Sequence, residues 1–148
     1  MDNLTWVIIA DSSKARVFAA YKAKLLNSSP DVHDLIPVSE HHHHNSRKKD
    51  SQLTTDKLGD FGKGTFVEAT DPKQHEAELF SHQLAQILLK GHNQHRYRDI
   101  ILVAPPTFMG LLNKNLTHEI DKLVSLRIEK DYTQAPSKEL VTHIVEWL

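Results

Sequence analysis

The residues with the clearest potential for metal-dependent chemistry are acidic side chains near the ends of predicted elements. Asp11 ends an apolar, β-branched stretch, and Glu76 and Glu78 lie near the start of a helical pattern. Two divalent cations that promote phosphodiester hydrolysis need several converging carboxylates. The apolar run that ends at Ala104 is followed by two prolines and no acid. Because a third carboxylate is missing, Asp11 is interpreted as a turn residue that accepts hydrogen bonds from backbone amides.

A run of histidines is a second candidate metal site. It consists of His41, His42, His43 and His44. Imidazole-rich tracts bind nickel, zinc or copper weakly. No carboxylate or histidine pair flanks the run at a defined spacing, so metal binding there is expected to be adventitious at most.

Three further potential ligands share one face of a predicted helix. They are His75, Glu78 and His82, at relative positions 0, 3 and 7. This spacing could offer two imidazoles and a carboxylate to a metal ion. The pattern favours a solvated polar face opposite the apolar stripe.

Composition excludes several classes of function. The chain has no cysteine, which excludes disulfides, thiol catalysis and thiolate metal sites. Eighteen basic and nineteen acidic side chains give a net charge of −1, which argues against strong non-specific attraction to nucleic acid or anionic membrane. No Gly-x-Ser-x-Gly elbow is present. The sequence therefore favours a protein that is not an enzyme, and no cofactor is predicted.

The first residues carry no recognisable targeting or membrane-spanning signal. The opening stretch lacks a basic flank, and its apolar run is too short for a signal peptide or a membrane span. We therefore expect a cytoplasmic protein without membrane insertion. At 148 residues, a single domain is expected.

The first part of the chain predicts three antiparallel strands. Residues 5–10 and 15–21 are apolar, and the turn-forming residues 11–14 between them predict a hairpin. A third strand is predicted at residues 32–39, where Pro37 favours an edge position. Residues 40–66 are polar and contain three glycines, which predicts a long flexible insertion.

The main helix and the strand after it have strong boundary signals. Asp71 as N-cap, Pro72 as first helical residue and Gln74 in a capping box predict the helix start, and Gly91 predicts its end. The five apolar residues between Asp99 and the prolines 105 and 106 predict a strand buried on both faces, at the centre of the sheet.

The remaining sequence predicts a helix, a strand and a last helix. Thr107 is expected to cap the helix after the prolines, and Gly110 is expected to allow close helix approach. A strand is predicted at residues 123–130 and a helix from about residue 135 to the end. The order is β-β-β-α-β-α-β-α. It resembles a ribonuclease H-like, three-layer α/β fold with a mixed five-stranded sheet and a long polar insertion before the first helix.

Four segments carry a family resemblance. They are residues 6–18 (WVIIADSSKARVF), 71–80 (DPKQHEAELF), 102–111 (LVAPPTFMGL) and 129–133 (EKDYT). With these segments in matching order, the chain resembles the bacterial host-attachment proteins, a family named for proteins required for attachment to host cells. That family is more distantly similar to the middle domain of peptide-release factors and of Pelota, which act on ribosomes.

The resemblance implies a binding domain without nuclease chemistry, and its partner is expected to be RNA, the ribosome or a protein. Two alternatives stay open: a metal-dependent hydrolase or nuclease of the ribonuclease H-like class, and an indirect role in host-cell adhesion. The biochemical activity of the family is undefined.

The candidate binding residues are polar matches without a core role and residues at the carboxyl ends of the parallel strands. Ligands of open α/β sheets bind in the crevice at these strand ends, which residues 105–108 and 131–133 would line. Helix amides starting at Thr107 could receive an anion there. The set is Asp11, Arg16, His75, Glu76, Pro105, Thr107, Lys130 and Asp131.

Overall fold

The computed structural model describes residues 3–27, 29–43 and 72–148. The strands are β1 (Leu4–Ala10), β2 (Lys14–Tyr21), β3 (Ile36–His42), β4 (Asp99–Val103) and β5 (Val124–Ile128). The helices are α1 (Lys22–Leu25), α2 (Pro72–Asn93), α3 (Pro106–Asn115), α4 (His118–Asp121) and α5 (Ser137–Val145), and a 3-10 turn covers Val32–Asp34. No helix in this described part is long and apolar enough to cross a membrane.

The five strands form one mixed sheet in the order β3-β2-β1-β4-β5. The β1–β2 and β2–β3 pairs are antiparallel, whereas β1–β4 and β4–β5 are parallel. This confirms the predicted hairpin, the α/β class and the edge position of β3. The prediction that β4 is the central strand is wrong: β1 is central and β4 lies next to it, although both strands are buried.

Helices cover both faces of the sheet, so the core has two halves. On one face Phe80, Leu84 and Leu88 of α2 pack with α3 and α4 against alternate strand residues such as Ile8 and Leu102. The other face packs against α5, α1 and the 3-10 turn, through the apolar residues Leu140, Ile144, Leu25 and Leu35. Alternation of side chains along a strand explains why β1 supplies both halves.

Helix α2 runs past its predicted end. It begins at Pro72, and the predicted cap Asp71 lies outside the described residues. Gly91 lies within the helix, two residues before its end, so its prediction as a C-terminal stop is wrong. Its buried position beside Trp6 and Tyr97 gives the physical reason for a glycine there.

Helix α3 begins one residue earlier than its predicted cap. Pro105 is the N-cap and Pro106 the first helical residue, so Thr107 lies inside the helix and does not cap it. A proline suits this first position because its missing N–H would have no intrahelical acceptor. The predicted packing role of Gly110 is also wrong, since a Cβ atom there would meet nothing within 4 Å.

Strand β3 lies further along the chain than predicted. The 3-10 turn occupies Val32–Asp34, and the strand pairs with β2 as far as His42, opposite Lys14. The first residues of the predicted insertion, 40–42, are therefore ordered strand, because backbone pairing with β2 continues beyond the apolar residues. The rest of the predicted insertion from residue 44 lies outside the described residues.

Candidate functional site

A cleft of about 570 Å³ lies where β1 and β4 end and where the chain leaves β5. We call it the strand-end cleft. Four predicted site residues line it: Asp11, Pro105, Thr107 and Asp131. Its apolar lining comes from Ala77, Pro105, Phe108 and Leu111, and the start of α2 adds Lys73 and Gln74. The predicted crevice is therefore present, and four separate segments of the chain build it.

The side chain of Asp11 is held in the β1–β2 turn by backbone amides of the same turn. Its Oδ1 accepts hydrogen bonds from the amides of Ser13 (2.9 Å) and Lys14 (2.8 Å). A short acidic side chain that binds amides two and three residues later stabilises a tight turn. The interpretation of Asp11 as a turn residue is confirmed, and the same carboxylate forms part of the wall of the strand-end cleft.

Thr133 joins Asp11 to the loop after β5. Its hydroxyl lies 3.1 Å from Oδ2 of Asp11 and 2.7 Å from Oδ1 of Asp131, and its amide also donates to Asp131. A threonine hydroxyl carries one proton, so it donates to one carboxylate at a time. Thr133 belongs to the loop 131–133 that was predicted to line the crevice, but its bridging role was not predicted. The Asp-x-Thr spacing, typical of a side-chain-stabilised turn, was the available signal.

Arg16 positions the same loop and does not line the strand-end cleft. Its guanidinium donates to the carbonyl oxygens of Ala135 (2.8 Å) and Thr133 (3.4 Å) and to the hydroxyl of Ser137 (3.3 Å). The group also lies 5.3 Å from the ring centre of Phe18. This one side chain therefore supplies hydrogen-bond donors to the backbone carbonyls of Thr133 and Ala135. The structure therefore places Arg16 as a support of the loop that carries Asp131.

Glu76 forms a buried pair with His43. Nε2 of His43 is hydrogen-bonded to Oε1 of Glu76, and only 14% and 10% of the two side chains are exposed. The His43 ring also packs near Phe80, with 5.7 Å between ring centres. The pair joins the end of β3 to the first part of α2. Sequence reasoning proposed Glu76 as a binding residue but did not connect it with the histidine run.

His75 lies in a different place from the other predicted residues. It lines a groove of about 250 Å³ between α2 and α3, together with Glu78, His82, Leu79 and Lys114. The three potential ligands do share a helix face, as their spacing predicts. Within the described ranges, however, no group of three or more His, Asp or Glu side chains is arranged to hold a metal ion.

The histidine run is divided among different surroundings. His41 bonds Ser39, His42 bonds Glu40, and His43 bonds Glu76; His44 lies outside the described residues. Burial lowers the pKa of His41, and the hydrogen bond from His42 lowers the pKa of Glu40. Neighbouring strand residues point to opposite faces, so the described members do not act as one cluster.

Lys130 is exposed and does not line the strand-end cleft. It follows β5, one residue before Asp131. Of the eight predicted binding residues, the structure thus brings together four at the strand-end cleft, with Arg16 supporting it from behind the loop. Lys73 and Gln74 line it as well and were not predicted, because nothing in their spacing distinguishes them from other polar residues of α2.

The comparison with known families covers nearly the whole chain. A model of the family described as "Protein required for attachment to host cells" matches residues 6–144. No curated protein matches the chain at a significant level. The matched range contains every residue that lines the strand-end cleft.

Proposed function

Because the chain belongs to the host-attachment family, we propose that it is a non-catalytic binding domain that engages ribosomal particles through their RNA or a protein. The resemblance of the family to the middle domains of peptide-release factors and Pelota supports a ribosomal partner. The strand order β3-β2-β1-β4-β5, with helices on both faces, agrees with the ribonuclease H-like fold of those domains. The proposal places the protein in the cytoplasm.

The observation that carries the proposal is the construction of the strand-end cleft. Its apolar lining is suited to contact with a partner, and its loops are held by the hydrogen bonds of Asp11, Arg16 and Thr133. Oδ1 of Asp11 already accepts two turn amides, and its Oδ2 lies 3.1 Å from the hydroxyl of Thr133. A preformed surface of this kind favours binding, since little ordering is required on association.

Sedimentation of a lysate through a density gradient tests this function. We expect the labelled protein to migrate with ribosomal particles at low salt and less so at raised salt, since phosphate contacts release counterions. The Thr107→Trp variant places a large side chain at an exposed position of the cleft, and Thr142→Trp on α5 is its matched control. Co-migration should be lost only in Thr107→Trp.

Two results would overturn the proposal. Protein that stays at the top of the gradient at both salt concentrations would exclude a ribosomal partner. Co-migration that survives Thr107→Trp would exclude the strand-end cleft as the contact surface, because the added indole would occupy part of it.

A metal-dependent hydrolase or nuclease is the second candidate function. The specific observation is that Asp11 and Asp131 both lie in the wall of the strand-end cleft and share the hydroxyl of Thr133. Cleavage of labelled RNA that requires added Mg²⁺ or Mn²⁺, and that is lost in Asp131→Asn, would establish this activity. It would also contradict the non-catalytic proposal.

The family name motivates a third possibility, an indirect role in adhesion to host cells. Deletion of the gene would then lower adhesion, and the Thr107→Trp variant would fail to restore it if the cleft mediates the effect. Full restoration by that variant would separate adhesion from the cleft.

A further inference from the structure

The strand-end cleft has three chemically different parts, and together they specify a class of ligand. The start of α3 and Lys73 form one part, the carboxylates of Asp11 and Asp131 form the second, and the third is apolar. Its volume of about 570 Å³ lies inside the roughly 300–1,000 Å³ typical of small-molecule sites. A ligand that uses the whole cleft should therefore carry an anionic group, hydrogen-bond donors and an apolar body.

The first part is the start of α3 together with Lys73. No side chain caps this helix within the described part of the chain, and its N-cap and first helical residue are both prolines. The amides that follow, at Thr107 and Phe108, belong to residues that line the cleft. Lys73 from the start of α2 lines the same space. Helix amides and a lysine are suited to an anion such as phosphate.

The second part is acidic and consists of Asp11, whose Oδ1 accepts turn amides, and Asp131. Asp131 is the carboxylate suited to a ligand. Its Oδ1 accepts both hydrogen bonds from Thr133, at 2.7 and 3.2 Å. Within the described ranges, Oδ2 receives no hydrogen bond and the carboxylate makes no ion pair, and the side chain is exposed. A carboxylate held through one oxygen can accept hydroxyl donors with the other. Adjacent hydroxyls of a sugar are donors of this kind.

The third part is apolar and rigid. Phe108 is only 3% exposed and packs against Phe80 of the core, with 6.0 Å between ring centres, so it forms a fixed floor under the half-buried Pro105 and Leu111. Ala77, Pro105 and Leu111 complete this lining. A planar, weakly polar ring system would bury its surface here at little conformational cost.

We propose that the strand-end cleft binds a nucleoside monophosphate unit. The phosphate lies at the start of α3 beside Lys73, a ribose hydroxyl donates to Asp131, and the base packs along Pro105 and Leu111. A free nucleotide and an unstacked nucleotide of RNA share this chemistry. The inference rests on the proposed function only in taking the cleft as the binding site, and it does not require ribosome association.

Titrations of the full chain with AMP, adenosine and 2′,3′-dideoxy-AMP, followed by amide chemical shifts in NMR spectra, test the assignment. We expect AMP to shift the amides of Thr107, Phe108 and Leu111. Adenosine lacks the phosphate and dideoxy-AMP lacks the ribose hydroxyls, so each should bind roughly tenfold more weakly, the effect of losing one charge-assisted interaction.

Paired variants assign each part of the ligand to its residue. Lys73→Ala should weaken AMP binding about tenfold and leave adenosine binding unchanged. Asp131→Asn, which keeps only a neutral acceptor, should reduce the difference between AMP and dideoxy-AMP. Lys138→Ala and Glu139→Gln, exposed positions of α5 that do not line the cleft, are the matched controls and should bind all three compounds like the parent protein.

Three outcomes would overturn the proposal. The first is the absence of shifts at these amides with AMP at roughly 10 mM, which is far above a Kd useful to a cell. The second is inorganic phosphate that binds as tightly as AMP. The third is an equal loss of AMP affinity in Lys73→Ala and Lys138→Ala. Competition by an RNA hexamer would identify RNA as the source, and AMP binding without competition would identify a free nucleotide. AMP binding by a protein that does not sediment with ribosomes would overturn the proposed function alone.

Discussion

Gly91 of α2 lies against the indole ring of Trp6 in the central strand. A Cβ atom on Gly91 would lie 2.7 Å from Cη2 of Trp6 and 3.0 Å from Cε2 of Tyr97. Both rings are buried and lie against each other at a tilt of 38°, with 4.7 Å between their centres. They cannot move aside cheaply, because well-packed cores resist added volume. The Gly91→Ala variant should therefore lose about 1–3 kcal/mol of unfolding free energy, measured by urea denaturation.

Gly110 of α3 gives the opposite prediction and serves as the control. It is exposed, and a Cβ atom there would meet nothing within 4 Å. Alanine in an open helical position restricts the unfolded chain, so Gly110→Ala should raise the unfolding free energy by about 0.5–1 kcal/mol. Changes of the same sign in both variants would contradict the assigned packing role of Gly91.

The buried pair of His43 and Glu76 should contribute more to stability than the exposed pair of His92 and Glu119. Glu76→Gln keeps the size of the side chain but removes the charge, and the side chain is only 10% exposed. A loss of roughly 1–3 kcal/mol is expected, as for buried charged hydrogen bonds. Glu119→Gln alters the exposed His92–Glu119 pair and should change stability by less than about 1 kcal/mol. Similar losses in urea unfolding would show that burial does not distinguish the two pairs.

The hydroxyl of Thr133 holds the wall of the strand-end cleft together. Thr133→Val keeps the shape of this buried side chain and removes the donor between Asp11 and Asp131. The loss should be about 1–3 kcal/mol, since a buried hydroxyl that donates to one of two carboxylates is removed. Thr142→Val, at an exposed position of α5, should stay within roughly 0.5 kcal/mol of the parent. A neutral Thr133→Val variant in thermal or urea unfolding would show that the bridge is dispensable.

Asp99 should make folding sensitive to acid. Burial raises its pKa, but hydrogen bonds from Lys22 (2.7 Å) and Thr5 (2.6 Å) outweigh burial and lower the pKa below its ordinary value. The ionised form therefore favours the folded state. Its contribution is complete above the ordinary pKa of about 3.9 and is lost as the pH falls through the lower folded pKa.

Urea unfolding of the parent and of Asp99→Asn between pH 2 and 7 tests this. At pH 7 the variant should be less stable by about 1–3 kcal/mol. The difference should shrink below about pH 4, where the parent aspartate begins to protonate. A difference that stays constant down to pH 2 would assign the effect to shape and not to charge.

Local patterns predicted the elements well but not their positions in the sheet. Alternation, turn residues and proline signals identified the hairpin, α2 and β4 because those signals act within a few residues. The central position of β1 depends on pairing with β4, whose residue Asp99 lies 94 positions after Thr5. Gly91 was misread for the same reason, since its close contact with Trp6 is a tertiary effect.

At the site, too, local signals were readable from the sequence, whereas contacts between distant residues were not. The structure brings Asp11, Pro105, Thr107 and Asp131 to one cleft because the carboxyl ends of parallel strands meet at one edge of a sheet. The partnership of Glu76 with His43 could not be found, since it joins residues 33 positions apart without a repeating pattern.

The parallel pairing of β1 with β4 has a consequence for synthesis of the chain. Strand β1 is made well before its parallel partner β4, which begins at Asp99. At roughly 5–20 residues per second, the 94 positions between Thr5 and Asp99 take about 5–20 s to translate. During that time the edge of β1 that pairs with β4 has no partner strand. An unpaired strand edge of this kind can pair with other chains, so the interval before β4 is made is the time at which the nascent hairpin is most prone to aggregate.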